Sequence, residues 1–382
     1  MTEWESAWVQ VDLGKIRRNV QRLAKACHPA ELMAVVKADA YGHGAVAVSR
    51  AALASGARRL AVATPAEGQE LRRAGIAAPI LVVGAFMPGQ EEMYIEHRLT
   101  VTLASFEGID ALAQAAQRRG VVVRVHIKVD TGMGRLGFLP DEVPFLVKRL
   151  QRYPFIELEG IYSHYASADV PDRAAVEEQG RRLRHVVAQV KELGWQPAYV
   201  HLSNTAGVLE RFAPSECNMV RTGIGIYGLY PSTTVRRSVT LEPALSLHAR
   251  VTTVKRVPAG TGVSYGLTYR TPRETTLCTL PIGYANGVTR LLSHKAEVLL
   301  GGRRFPIVGV ICMNVCVVDV GDYPVQIGEE AVLIGRQGGE EITADEWAEH
   351  LGTINYEVVC MMRANLPRIY TMSEETPNPH EG

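Results

Sequence analysis

The first 230 residues alternate short apolar runs with amphipathic stretches of helical length. The apolar runs are rich in β-branched residues and predict strands, whereas the amphipathic stretches are rich in Ala, Arg and Glu and predict helices. The predicted strands begin near Ala34, Leu60, Pro79, Thr100, Val122, Glu157, Tyr199 and Met219. The clearest predicted helices cover residues 45–55, 66–74, 106–119 and 172–193.

Eight strands that alternate with eight helices predict an α/β fold in which the parallel strands close into a (β/α)8 barrel of the TIM type. A doubly wound open sheet is the alternative, but the number of strand–helix units favours closure. We therefore expect a barrel domain over residues 1–240, with residues 1–10 left open to pack with the domain that follows.

The pattern changes after Leu241, where β-rich runs follow one another without long helices. Residues 245–251 alternate as a half-buried strand does, and further β-rich runs cover 276–281, 296–300, 307–320 and 331–334. Gly-Gly pairs at 301–302 and 338–339 mark turns. Two short helices are expected near the end, the first starting at Thr343 with Glu346 completing a capping box. Residues 241–382 therefore predict a second, mostly β domain.

Composition narrows the class of protein. The chain has 382 residues, of which 47% are hydrophobic and 21% charged, which suits two globular domains. The net charge of +1 gives no electrostatic case for nucleic acid or an anionic membrane, and no apolar run is long enough to span a bilayer. The acidic N-terminus lacks a secretory signal and the six cysteines form no CxxC pair, so we expect a cytoplasmic protein with reduced thiols and no metal site.

Polar residues collect where the predicted strands end, and barrel enzymes place their active sites at those ends. The strand-end residues include Lys37, Tyr41, Lys128, Arg135, His164, Thr205, Arg221 and Gly223. Burial lowers the pKa of a lysine and exposes a nucleophilic amine, so Lys37, after the apolar run 34–36, suits Schiff-base chemistry. The ordinary alternative is a lysine at the surface.

The ends of the last two predicted strands suggest a phosphate site. Barrels often bind phosphate with the loops after these strands and a nearby helix N-terminus. Thr205 offers a hydroxyl at the start of a helix, and Gly223 and Ile224 offer backbone N–H groups. The alternative is that Thr205 serves only as a helix N-cap.

Eight segments of the chain resemble, in the same order, the motifs of alanine racemases. In the first half they are VVKADAYGHG at 35–44, KVDTGMGRLG at 128–137, HLSNTAG at 201–207 and MVRTGIGIYG at 219–228. In the second half they are VSYG at 263–266, GYANG at 283–287, VGVICMN at 308–314 and TINYEV at 353–358. The resemblance implies a homodimeric isomerase that uses pyridoxal 5'-phosphate (PLP) to interconvert L- and D-alanine and supplies D-alanine for the bacterial cell wall.

The resemblance also implies which residues hold the cofactor. Lys37 would carry PLP as an internal aldimine, and Arg221 would donate to the pyridine nitrogen and keep the ring neutral. The phosphate would be held by Tyr41, Thr205, Gly223, Ile224 and Tyr356. The barrel is thus the expected PLP-binding domain.

Tyr265 is the second base that the resemblance implies. Racemisation removes a proton from one face of Cα and returns it to the other, which two bases on opposite faces do directly. In the family this tyrosine comes from the C-terminal domain of the partner subunit. His164 would hydrogen-bond it, and Arg221 would bond His164.

Arg135 would contact the phenolic oxygen of PLP and, with the backbone N–H of Met313, place the substrate carboxylate. Lys128 lies seven residues before Arg135, and two buried like charges would repel. The resemblance implies that Lys128 resolves this as a carbamate, which reverses its charge. An outward-facing or hydrated Lys128 is the alternative.

The chain departs from the family pattern at three positions. Thr205 stands where serine is usual, and Asn286 and Asn314 stand where aspartate is common. The two asparagines keep open a serine racemase or one of broader specificity. A PLP-dependent decarboxylase would lack the tyrosine of VSYG, and a non-catalytic PLP carrier would lack the second domain.

Overall fold

The computed structural model describes residues 5–374 except 213, 363 and 364. It contains two compact units. Of the described residues, those within 15–40 and 45–242 form one unit, and those within 5–14, 41–44 and 243–374 form the other. Strand β1 (Ala7–Asp12) opens the described chain and pairs within the second unit.

Eight parallel strands form the core of the first unit. They are β2 (Glu31–Val35), β3 (Ala57–Val62), β4 (Ile80–Val82), β5 (Val101–Leu103), β6 (Val123–Lys128), β7 (Ile156–Tyr162), β8 (Tyr199–His201) and β9 (Met219–Thr222). Each begins within three residues of its predicted start. Nearly every residue in them is buried, as expected of parallel strands covered on both faces.

The strands close into a ring, which confirms the predicted barrel. Their order is β4-β3-β2-β9-β8-β7-β6-β5. A parallel bridge between Leu81 and Thr100 joins the two ends, and the Thr100 amide donates to the Ile80 carbonyl at 2.8 Å. Polar side chains at the carboxyl ends of these strands are therefore gathered at one rim.

Helices alternate with the barrel strands. They are α1 (Leu13–Cys27), α2 (Ala45–Leu53), α3 (Pro65–Arg73), α4 (Glu91–Glu96), α5 (Ile109–Arg119), α6 (Val143–Leu150), α7 (Ala174–Glu192) and α8 (Thr205–Leu209). Their apolar faces pack on the strands, as residues such as Leu112 and Val187 illustrate by being buried. Within the described residues, no helix has both the length and the apolar character needed to cross a bilayer.

The second unit is built mainly from antiparallel strands, as predicted. They are β10 (Leu245–Arg250), β11 (Thr253–Val257), β12 (Gly262–Val263), β13 (Tyr269–Arg270), β14 (Thr275–Leu280), β15 (Glu297–Leu300), β16 (Arg303–Val308), β17 (Cys316–Gly321), β18 (Glu330–Gln337), β19 (Glu340–Ile342) and β20 (Arg368–Thr371). Strand β1 lies between β10 and β20, antiparallel to the first and parallel to the second. The N-terminal strand is thus part of this sheet.

Two details of the second unit differ from the sequence prediction. The β-rich run 307–320 is two strands, β16 and β17, because Gly309 turns the backbone at φ 70°. Thr343 caps helix α9 (Ala344–Leu351) by accepting from the Glu346 amide at 3.0 Å, but the Glu346 carboxylate binds Arg304. The predicted capping box is therefore only half formed. A further helix, α10 (Asn355–Cys360), follows α9 as expected.

Candidate active site

Lys37 lies just beyond the buried strand β2, at the start of an unusual turn. Residues 38–41 all have φ between 52° and 54°, the left-handed conformation. Each non-glycine residue in this conformation costs on the order of 1–2 kcal/mol. Two carboxylates hold the turn, since the Ala38 amide donates to Glu67 at 2.7 Å and the Ala45 amide donates to Asp39 at 2.8 Å. Strain of this kind is typical of functional sites. Lys37 itself is half-buried, so the sequence overestimated its burial.

The Thr205 hydroxyl contacts two backbone amides of the loop that follows strand β9. Its Oγ1 accepts from the amides of Gly223 and Gly225, each at 3.3 Å. Asn204, rather than Thr205, caps helix α8, by accepting from the Gly207 amide at 2.9 Å. The alternative role of Thr205 as a mere N-cap is therefore wrong, and its hydroxyl faces the end of strand β9.

The backbone of the loop after β9 packs closely against Thr205. A Cβ atom on Gly225 would lie 2.7 Å from the Thr205 methyl group, so a larger residue would push the two segments apart. Ile224 begins a 3₁₀ helix, Ile224–Tyr227, and the first amides of a helix have no intrahelical acceptor. The loop thus places backbone amides next to the Thr205 hydroxyl, and those of Gly223 and Gly225 donate to it.

His164, which follows strand β7, lies in a basic environment and contacts Arg221. Burial lowers the pKa of this imidazole well below its usual range, and the charges of Arg221, Arg135, Lys128 and Lys37 lower it further. The ring is therefore neutral at physiological pH. The nearby Asp130 carboxylate accepts from the amides of Gly132, Met133 and Gly134 at 3.0–3.1 Å. Positive charge thus dominates this end of the barrel.

Lys128 is buried, with 3% of its surface exposed. Its Nζ donates to the Val129 carbonyl at 2.9 Å and lies 5.5 Å from the centre of the Tyr162 ring. Burial, with a smaller contribution from Arg221, lowers the pKa of Lys128 to about 7. The solvent-facing alternative is therefore wrong, and a substantial fraction of this amine is uncharged at neutral pH.

The guanidinium of Arg221 donates hydrogen bonds to four acceptor atoms. It donates to Nδ1 of His201 at 2.7 Å and to Nδ1 of His164 at 3.0 Å. It also donates to the carbonyls of Ser163 and Leu202, at 2.7 and 3.2 Å. Burial lowers the pKa of Arg221 to about 10, which leaves the guanidinium charged at neutral pH. The expected Arg221–His164 hydrogen bond is present.

The predicted site residues of the second unit form two groups. Tyr41 is buried and its ring lies 6.2 Å from that of Tyr356, tilted by 51°. Burial raises the pKa of the Tyr41 hydroxyl, so it stays protonated and can donate a hydrogen bond. Tyr265 and Met313, in contrast, are 71% and 53% exposed.

Three loops converge around Tyr265 and Met313. Ser264, at φ 60°, donates to the Val310 carbonyl at 2.5 Å, which ties the VSYG segment to the segment that carries Met313. The Ala285 amide donates to the Met313 carbonyl at 2.9 Å, which brings in the GYANG segment. Asn286 accepts from the Gly283 amide at 3.1 Å, a bond that an aspartate would also make. This substitution therefore keeps its role in the turn.

Two family models together match most of the chain. "Alanine racemase, N-terminal domain" matches residues 11–231, and "Alanine racemase, C-terminal domain" matches residues 244–370. The chain belongs to the alanine racemase family.

Individual alanine racemases are similar over nearly their whole length. The enzyme of Symbiobacterium thermophilum is 46% identical over 95% of this chain and 96% of its own, and that of Desulforamulus reducens is 44% identical over 96% and 99%. The crystal structure of alanine racemase from Bacillus anthracis with bound L-Ala-P has a TM-score of 0.92 at 40% identity and covers 98% of this chain and 97% of that one.

Four buried polar residues inside the barrel of this alanine racemase family member have no role in the sequence prediction. They are Arg59, His126, Glu159 and His201, and all four are buried. The sequence does carry a signal, because each is a polar residue that belongs to a barrel strand. Which of them touch could not be read from the sequence, since that depends on the register between strands.

Proposed function

We propose that this chain is a PLP-dependent racemase that interconverts L- and D-alanine. The observation that carries the proposal is the polar cluster at the carboxyl ends of the barrel strands, where Arg221 donates to His164 at 3.0 Å and Thr205 contacts the loop after β9. PLP brings a phosphate and a phenolic oxygen, both of which need positive charge or hydrogen-bond donors, and it is the cofactor of the alanine racemase family. The donor chemistry of the barrel end fits that group.

The cofactor-holding roles follow the family resemblance. Lys37 attaches PLP, and Thr205 with the amides of Gly223 and Ile224 holds its phosphate. Tyr41 and Tyr356 supply further hydroxyl donors to the phosphate. Arg221 donates to the pyridine nitrogen, because its charge persists in the buried site and arginine cannot accept a hydrogen bond.

When bound, PLP supplies the conjugated, electron-withdrawing system that acidifies the Cα–H of an attached amino acid. The chain supplies the two proton carriers. The Lys37 amine serves one face of Cα and the Tyr265 hydroxyl serves the other. His164 donates a hydrogen bond to the Tyr265 oxygen and so holds it in position.

Placement of the substrate falls to Arg135 and the Met313 amide, which bind its carboxylate. Lys128 supports Arg135 after conversion to a carbamate. The reaction joins the uncharged amine to CO2 with loss of one proton, and a pKa of about 7 leaves a substantial part of the amine uncharged at neutral pH. The new negative charge then pairs with Arg135 instead of repelling it.

We further propose a cytoplasmic homodimer in which Tyr265 acts in the partner's site, and D-alanine as the precursor for peptidoglycan. The exposure of Tyr265 supports a role towards another chain. A racemase for serine or for a broader set of amino acids is the alternative, and the names of the relatives do not favour it.

The direct test is a racemisation assay on the purified, PLP-loaded protein with alanine, serine and lysine as separate substrates. We expect kcat/KM to be highest for alanine, in both directions. A Lys37→Ala variant should be inactive, and Lys148→Ala, at an exposed lysine of the same barrel, should match the wild type. A higher kcat/KM for serine or lysine would overturn the substrate assignment.

A further inference from the structure

A chain of buried side chains crosses the barrel interior and ends at Arg221. Arg59 donates to both carboxylate oxygens of Glu159, at 2.9 and 2.7 Å. Glu159 lies 3.0 Å from Nε2 of His126, whose Nδ1 lies 2.8 Å from Nε2 of His201. His201 in turn presents Nδ1 to Arg221 at 2.7 Å. The five residues come from five different strands of the barrel.

Arg221 at one end of the histidine pair can only donate and the ionised Glu159 at the other can only accept, and together they fix the direction of the hydrogen bonds between them. Arginine has only donors, so His201 accepts at Nδ1 and carries its proton on Nε2. That proton is donated to Nδ1 of His126, which must then carry its own proton on Nε2. The Nε2–H of His126 is donated to Glu159. For two neutral rings, this is the assignment that gives each link one donor and one acceptor.

Burial keeps both rings neutral, whereas hydrogen bonds keep the Glu159 carboxylate charged. His126 and His201 are 0% exposed, and burial lowers the pKa of each imidazole. Burial also tends to raise the pKa of Glu159, but hydrogen bonds from His126 and Arg59 outweigh it and lower that pKa to about 2. The histidine pair therefore ends at the fixed negative charge of Glu159, which is paired with Arg59.

The strand beside Glu159 is shaped to seat the His126 ring. A Cβ atom at Gly160 would lie 2.7 Å from two atoms of that imidazole, so any larger residue would displace it. Glycine inside a strand weakens the strand and often marks a close approach. Gly160 fits that explanation, and the His126–Glu159 contact is a built feature of the barrel.

The other end of the chain reaches the candidate active site. Arg221 donates to Nδ1 of His164 at 3.0 Å, so His164 also carries its proton on Nε2. We infer that Glu159, paired with Arg59, is a positioning residue: it fixes the tautomers of His126 and His201 and thereby holds Arg221 as the donor to His164. The effect of this arrangement on catalysis rests on the proposed racemase function.

Side-chain nitrogen-15 NMR of the histidines in the wild-type holoenzyme tests the tautomers directly. We expect both His126 and His201 to carry a proton on Nε2 and none on Nδ1. Single substitutions of each histidine assign the signals. A proton on Nδ1 of His201, or a charged imidazole at either position, would overturn the inference. This outcome does not depend on racemase activity, so it stands apart from the success of the proposed function.

A double variant tests the influence of the ion pair. Arg59→Leu with Glu159→Leu removes both charges together, which avoids leaving one buried charge unpaired. We expect His201 to lose its single tautomer and kcat/KM for alanine to fall about 10- to 100-fold, as is usual when a supporting hydrogen bond is lost. The matched control is Arg18→Leu with Glu242→Leu, another ion pair of the same barrel, at 2.8 Å, which should keep both properties.

A second variant covers the case in which the double variant does not fold. His126→Phe leaves the Arg59–Glu159 pair intact and cuts only the link to His201. The same loss of the single tautomer and the same fall in kcat/KM are expected. Wild-type kcat/KM, or an unchanged His201 tautomer, in either folded variant would show that the chain is only structural.

Discussion

The guanidinium of Arg221 lies 3.0 Å from Nδ1 of His164. Because arginine cannot accept, this bond places the His164 proton on Nε2. A second arm of the same guanidinium reaches His201 at 2.7 Å, so a single planar group orients two imidazoles. The planar fork of arginine suits this task better than the single ammonium of lysine does.

Substituting Arg221→Lys should therefore disable the site while preserving the positive charge. One ammonium group cannot satisfy His164 and His201 in the geometry that the guanidinium provides. We expect kcat for alanine to fall by on the order of a hundredfold, the usual cost of losing one well-placed donor. Steady-state kinetics measure this, with thermal unfolding to verify folding. Arg236→Lys, at an exposed arginine of the barrel, is the matched control, and an Arg221→Lys enzyme with wild-type kcat would contradict the account.

Lys128 should carry a carbamate in solution. Its pKa of about 7 means that the reactive neutral amine becomes the major form as the pH rises above 7 and the minor form below it. Carbon-13 NMR of protein equilibrated with labelled bicarbonate should show one protected carbamate signal that grows with pH over this range. The signal should vanish in Lys128→Met and persist in Lys148→Met. An unmodified Lys128 under saturating bicarbonate would refute the assignment.

Borohydride reduction of the PLP-loaded protein should leave the pyridoxyl label on Lys37. The amine is half-buried and follows directly from a rigid strand, which favours attachment at one place. Peptide mapping by mass spectrometry locates the label, and Lys37→Ala serves as the blank. A label on Lys128 or on any other lysine would contradict the cofactor assignment.

The barrel was predictable because its signals are local. Strands β8 and β9 begin at the predicted residues, since each apolar run is bounded by polar or glycine residues. The left-handed turn at residues 38–41 was not predictable, because alanine and tyrosine rarely adopt positive φ and the carboxylates of Glu67 and Asp39 that help to hold it come into place only on folding. Burial of Lys37 was overestimated for the same reason: the chain leaves the core at this turn.

The candidate site was predictable in part. Strand ends and motif resemblance singled out Lys128, His164 and Arg221, but the contacts among them require three-dimensional register. The link from His126 to Glu159 joins neighbouring strands whose register shifts between Val125 and His126. Nothing in a linear pattern encodes such a shift, so the interior chain appeared only in the structure.

Acid should destabilise the protein partly through Glu159. Its pKa in the folded state, about 2, lies below the unfolded value of 4.5. Its contribution is thus fully present above the unfolded pKa and is lost as the pH falls from 4.5 towards 2. The shift corresponds to an upper figure of about 3 kcal/mol. Urea unfolding between about pH 6 and pH 3 should show a steeper loss of stability for the wild type than for Arg59→Leu with Glu159→Leu. Parallel curves would contradict this role.

We expect Lys37 of one subunit and Tyr265 of the other to serve the two faces of the same substrate. Lys37→Ala and Tyr265→Phe homodimers should each be nearly inactive in racemisation. A mixed dimer contains one doubly defective site and one site with both bases intact. If both residues of a site came from one chain, every site of the mixed dimer would keep a defect.

Mixing the two variants under conditions of subunit exchange is therefore the most direct measurement. Differently tagged subunits verify the exchange, and a mixture of Lys37→Ala with Lys37→Ala/Tyr265→Phe is the control that should show no rescue. The account predicts recovery of up to about a quarter of wild-type activity, because half of the dimers are mixed and each has one good site of two. Verified mixed dimers without recovered activity would contradict it.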